Sequence, residues 1–103
     1  MSYPAPTYRK QLRALLEDLN NLMKGWSPDH GFVKARVIAE ATLPLIAGVI
    51  ERLHNAQTKL YISDAMALST QLEELLTLME EKDKSKFAEY IAMLDSLINE
   101  GVS

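Results

Sequence analysis

The feature that most constrains this chain is a stretch from Ser27 to about Asn55 that is apolar around most of a helix circumference. It begins Ser27-Pro28-Asp29, a helix-start signal. A serine hydroxyl can accept from the free amides of a first turn, and proline at the first helical position lacks an amide hydrogen that would go unbonded there. Apolar residues then recur at three- and four-residue intervals up to Leu53. A helix with so wide an apolar face must be covered on more than one side.

Pro44 lies in the middle of this stretch. A proline inside a helix removes one backbone hydrogen bond and clashes with the carbonyl four residues earlier, here that of Glu40. We therefore expect a kink near Pro44, or a break into two shorter helices. Small residues surround the proline and are expected to let neighbouring helices approach closely. They are Ala39, Ala41, Ala47 and Gly48.

The same stretch is too short to cross a membrane. Its uncharged part, from Ala41 to Ile50, is ten residues long, whereas a spanning helix needs about 20 apolar residues. The N-terminus has neither the basic start nor the apolar run of a secretory signal. The chain has no cysteine, which suits a reducing compartment. We therefore predict a cytoplasmic protein with no membrane span.

Three further stretches repeat apolar residues every three or four positions, which predicts helices at about 7–24, 64–81 and 85–100 beside the long helix at 28–55. Residues 1–6 contain two prolines and are predicted to form an extended tail. Gly25 is expected to end the first helix in the left-handed conformation. The charged tract 80–86 predicts a surface turn. Residues 1–103 therefore form one all-α domain, predicted to be an antiparallel four-helix bundle whose second helix is long and kinked.

The net charge of −3 is unevenly distributed. Residues 1–56 carry seven Lys or Arg against five Asp or Glu, which is a net +2, and residues 57–103 carry four against nine, which is a net −5. A basic first half is expected to lie against an acidic second half of the same chain. The asymmetry would equally serve an antiparallel pairing of two chains.

Five residues near the start of the chain are candidates for partner binding. Trp26 follows the first helix, where an indole either covers the core or anchors a partner. Arg9, Lys10 and Arg13 occupy the first turns of that helix, although the positive end of the helix dipole favours acids. They are either a solvated face that pairs with the acidic half, or, together with Tyr8, a small patch for an acidic partner.

One pair of residues has metal-binding spacing. Glu51 and His54 match the Glu-x-x-His motif of di-iron carboxylate bundles, which need two such motifs and two further glutamates. Only a symmetric dimer would supply the second motif, and the helical phase argues against the site because Glu51 points away from the apolar stripe. No cysteine nucleophile, glycine-rich phosphate loop, GxSxG or HExxH sequence is present. We therefore predict no catalytic residue and no cofactor.

The sequence predicts a small non-enzymatic protein that acts through protein–protein interaction, either as a homodimer or by binding a partner helix in an apolar groove. The reason is that the second helix has more apolar circumference than three amphipathic neighbours are expected to cover. The alternatives are a helical bundle that binds a metal or small molecule at Glu51 and His54, and a nucleic-acid-associated regulator that uses Arg9, Lys10 and Arg13. Neither half is basic enough for nucleic acid to be the leading partner.

Overall fold

The computed structural model describes residues 5–26, 33–56 and 62–99, with the side chains of all of these except 5–7 and 54–56. Within these ranges the chain forms four helices and no strand, so the all-α prediction is confirmed. The helices are α1 (Ala5–Lys24), α2 (Val33–Ala56), α3 (Ile62–Leu76) and α4 (Glu81–Asn99). Close packing joins α1 to α2, α2 to α3 and α3 to α4, as in a helical bundle. The antiparallel order of the helices remains a prediction.

A single apolar core runs between the helices. In α1 the residues that face it are Tyr8, Leu12, Leu15 and Leu19, all completely buried. Their spacing of four, three and four residues places them on one side of a helix. The other helices contribute stripes of the same kind, and the fully buried large side chains from them are Ile46, Val49, Leu68, Leu72, Leu75, Leu94 and Leu97.

The proline in α2 does not divide the helix, which is continuous from Val33 to Ala56. Pro44 is exposed, so water can reach the carbonyl of Glu40 that lacks its usual donor. The buried Thr42 hydroxyl donates to the carbonyl of Ile38 at 2.7 Å, an arrangement that often bends helices. The kink itself remains a prediction, and the predicted helix start at residue 28 lies outside the described residues.

The small residues around the proline have different surroundings. Ala39 is fully buried, whereas Ala41 and Ala47 are exposed. At Gly48, an added Cβ would meet only Arg52 Nη1, at 3.4 Å, among the described atoms. Close approach of a neighbouring helix therefore accounts for Ala39 alone, because Ala41 and Ala47 are exposed and the half-buried Gly48 has only the end of Arg52 close to it among the described atoms.

Two predicted helix boundaries were wrong in the second half of the chain, the end of α3 and the start of α4. The predictions were 64–81 and 85–100, but α3 ends at Leu76 and α4 begins at Glu81. The amides of Leu78 and Met79 bond to carbonyls three residues back, at 2.9 and 3.2 Å, and this tight turn ends α3. Met79 is still buried, so the apolar pattern continues through the turn. The charged tract is largely helical, because Glu81 and Asp83 suit the positive end of the α4 dipole.

The ends of α1 also differ from expectation. The helix begins at Ala5, so residues 5 and 6 belong to it and not to an extended tail. Pro6 is tolerated because the first-turn amides have no helical partner. At the other end, the amides of Gly25 and Trp26 bond to the carbonyls of Leu22 and Met23, each at 3.1 Å. Gly25 does not have a positive φ, so the left-handed termination predicted for it was wrong.

Candidate functional site

An apolar stripe is exposed along the outer side of α2. Val33 and Val37 are each 62% exposed, and Ala41 and Pro44 are exposed as well. These four residues, spaced at intervals of four, four and three, form one side of the helix; we call them the α2 outer stripe. Among the described residues, the other large hydrophobic side chain that is strongly exposed is Met66 on α3, at 53%.

Charged side chains border the α2 outer stripe. Lys34, Arg36 and Glu40 are exposed, and Arg36 Nε lies 3.1 Å from Glu40 Oε1, one helical turn away. An apolar strip with a polar rim is the usual anatomy of a protein-binding surface. The small side chains at Ala41 and Pro44 leave room for another helix to approach closely.

The predicted partner-binding residues on and just after α1 do not form one surface. Tyr8 is completely buried and Trp26 is only 9% exposed, both within the core. Arg9 is half-buried, while Lys10 and Arg13 are exposed. Of the two interpretations of Trp26, the structure therefore agrees with an indole that covers the core. Tyr8 packs inside the core. The exposed basic surface here consists mainly of Lys10 and Arg13.

A polar bridge connects α1 to α4. Tyr90 donates its hydroxyl to Asp18 Oδ2 at 2.5 Å, and Lys86 Nζ lies 3.1 Å from Asp18 Oδ1. Both oxygens of one carboxylate are therefore engaged by the neighbouring helix. Burial raises the pKa of Tyr90 well above its ordinary value, and the hydrogen bond and negative charge of Asp18, with a smaller contribution from Glu89, raise that pKa further. We call these three residues, Asp18, Tyr90 and Lys86, the clasp.

Open space lies on both sides of the clasp. A cavity of about 410 Å³ is bordered by Asn21 and Trp26 from the end of α1 and by Asp83 and Phe87 from the start of α4. A second cavity, of about 310 Å³, lies where Gln11 and Ala14 face Tyr90 and Met93. This order of neighbours is the one expected for an antiparallel α1 and α4.

The predicted metal pair has no support in the described part of the chain. Glu51 is exposed, and the side chain of His54 lies outside the described residues. No three His, Asp or Glu side chains among the residues that the structure describes are grouped so that they could hold a metal ion. The described helices also include none with the length and apolarity needed to cross a membrane.

No protein-family model matches this chain, and no curated protein or solved structure matches it either.

Sequence reasoning missed both the clasp and the valine pair. Asp18 lies three residues after Leu15 and four before Leu22, so it borders the apolar stripe of α1 beside Leu19. An acid in such a position is a signal for a polar contact between helices, and it could have been noted. Val33 and Val37 belong to the wide apolar face of α2, and the sequence did not show which part of that face is left uncovered. Only the position of α2 between α1 and α3 shows that they face outward.

Proposed function

We propose that this protein acts by binding another protein through the α2 outer stripe, and not by catalysis. The observation that supports this is the exposure of Val33 and Val37, 62% each, on adjacent turns of one helix face. The partner is a second copy of the chain or a helix of another protein. The cytoplasmic location inferred from the composition is part of the same proposal.

The energetics indicate how large the interface has to be. Burying the exposed part of one such valine is worth about 1 kcal/mol, from roughly 25 cal/mol per Å² of apolar surface. Association itself costs several kcal/mol in lost freedom of movement. Two valines therefore do not hold a complex together, and a specific interface buries roughly 1,200–2,000 Å² in total. We expect the α2 outer stripe to be the apolar centre of a larger contact that includes Lys34, Arg36 and Glu40.

The first experiment is native mass spectrometry and sedimentation of the untagged protein at high micromolar concentration. The test variant is Val33→Glu/Val37→Glu, which places two charges in the stripe. Met66→Glu is the control, and Val37→Glu alone is compared with it, because each adds one negative charge at an exposed hydrophobic residue and the two residues lie on different helices. We expect the wild type and Met66→Glu to form the same complex and the double variant to be monomeric. These variants should keep wild-type stability within about 0.5 kcal/mol, since the substituted side chains are exposed.

A monomeric wild type would exclude the homodimer and leave the partner helix. In that case a photoreactive residue at position 37 should cross-link one protein in extracts of the source cells, and the same residue at position 66 should not. Equal labelling from both positions, or none from position 37, would refute the proposal.

A further inference from the structure

The contact between α1 and α4 differs from the other helix contacts. Successive helices pack closely against each other, whereas α1 and α4 meet across the two cavities described above, of about 410 and 310 Å³. Lys86 borders both cavities. Both spaces are open to solvent, so water and not protein lies between these parts of the two helices. We call this contact the α1–α4 seam.

Among the residues that the structure describes, the clasp forms a polar connection across this seam. Asp18 receives the Tyr90 hydroxyl on one carboxylate oxygen and the Lys86 ammonium on the other. The ammonium end is partly in water, because the Lys86 side chain is 59% exposed while that of Asp18 is 20% exposed. One carboxylate on α1 therefore holds two side chains of α4, and its loss removes both contacts at once.

We propose that the clasp controls an opening of the α1–α4 seam, in which the end of α1 moves away from the start of α4 while successive helices stay packed. The position of Trp26 makes this motion visible, because its indole borders the larger cavity and is 9% exposed when the seam is closed. It is also the only tryptophan of the chain. Opening the seam admits water and solutes to this ring.

Collisional quenching of Trp26 fluorescence by acrylamide tests the proposal. Hydrogen bonds to a charged group are strong enough that removing Asp18 should raise the open population roughly tenfold or more. Asp18→Ala should therefore raise the quenching constant, and Tyr90→Phe should raise it less, because the contact with Lys86 remains. Glu17→Ala is the matched control, since it removes an exposed acid from the neighbouring position of the same helix. It should leave quenching unchanged.

A second control separates opening of the seam from general loss of stability. Ser69 is buried and donates to Asp95 at 2.8 Å, which links α3 to α4 away from the seam. Ser69→Ala should lower stability without raising the quenching of Trp26. If it raises quenching as much as Asp18→Ala does, the effect is not specific to the clasp and the proposal is wrong.

A cross-link that holds the seam closed provides the decisive test. The chain has no cysteine, so Asn21→Cys and Asp83→Cys, which border the larger cavity from the end of α1 and the start of α4, can be joined selectively by a short bismaleimide. Joining them in the Asp18→Ala background should return quenching to the wild-type value. Quenching that stays high after joining, or that never rises in Asp18→Ala, would overturn the proposal.

Ionic strength gives an independent readout. The contact of Lys86 with Asp18 is exposed enough to be screened by salt. Quenching of wild-type Trp26 should therefore rise with salt, and in Lys86→Met it should start higher and respond little. Equal salt responses in the two proteins would show that the ion pair does not hold the seam.

Discussion

Tyr90 connects the geometry of the clasp to the dependence of stability on pH. Burial raises its pKa, and the hydrogen bond to Asp18 and nearby negative charges raise it further. The folded chain therefore holds this proton more tightly than the unfolded chain, whose tyrosines titrate near pH 10. The resulting stability is fully present below about pH 10 and is lost as the pH rises toward the folded-state pKa.

We therefore expect the free energy of unfolding to fall more steeply above about pH 10 in the wild type than in Tyr90→Phe. Urea denaturation at a series of alkaline pH values measures both slopes. Every other ionisable side chain is the same in both proteins, so the difference between the slopes belongs to Tyr90. Parallel curves would mean that the folded state does not hold this proton.

At Gly48 we predict a substitution that stabilises the protein. It lies inside α2, and an added Cβ would meet only the flexible end of Arg52 among the described atoms. Glycine in a helix interior costs about 0.8–1.0 kcal/mol relative to alanine. Gly48→Ala should therefore stabilise the protein by roughly 0.5–1 kcal/mol in denaturant unfolding. Ala47→Gly, the reverse change at the exposed neighbouring position, should destabilise it by a similar amount. A loss of stability in Gly48→Ala would reveal a close approach that the structure does not show.

At the scale of elements, the start of α4 can be tested with proline. Glu81 is the first residue of α4, a position where proline fits because the missing amide hydrogen would have no helical partner. We expect Glu81→Pro to change stability by less than about 1 kcal/mol, even though it removes the exposed contact with Lys84. Lys84→Pro, one turn further on, should cost about 3 kcal/mol or more. If one helix ended at residue 81 and the next began at 85, as the sequence pattern predicted, Glu81→Pro would instead be the more damaging change, because position 84 would lie in the turn.

The existence of the four helices could be predicted because each one carries a long apolar stripe, as in Leu12, Leu15 and Leu19 of α1. Their ends could not, because burial does not stop where a helix stops. Leu78 and Met79 lie in the turn after α3 and still pack on the core. Apolar spacing therefore indicates which residues are inside, and only the backbone hydrogen bonds show where the helix gives way to a turn.

The candidate site was less predictable than the fold for a related reason. The sequence pointed to an apolar excess on the second helix, and the structure does show Val33 and Val37 exposed there. It could not identify those two residues, because their exposure depends on which faces of α2 are covered by α1 and α3. Tyr8 was misplaced in the other direction. Its position beside basic residues suggested a surface patch, but its side chain is completely buried.

For the whole molecule, the uneven charge of the two halves explains only part of how they meet. Arg52 of the basic half bonds to Asp64 of the acidic half at 2.9 Å, as expected. In the Lys86–Asp18 pair the arrangement is reversed, because the lysine belongs to the acidic half and the aspartate to the basic half. Between the described parts of the two halves, individual positions therefore decide the ion pairs, and the apolar core carries most of the contact.

The sequence separation of the polar links has a consequence for the order of folding. The link between α2 and α3 joins residues 12 apart, the link between α3 and α4 joins residues 26 apart, and the Asp18–Tyr90 link joins residues 72 apart. Bringing the ends of the longest loop together costs about 1.6 kcal/mol more chain entropy than closing the shortest one. Neighbouring helices can therefore dock as each emerges from the ribosome, at the high rates typical of local contacts. Of these three links, the clasp has the highest closure cost, so we expect it to form after the other two.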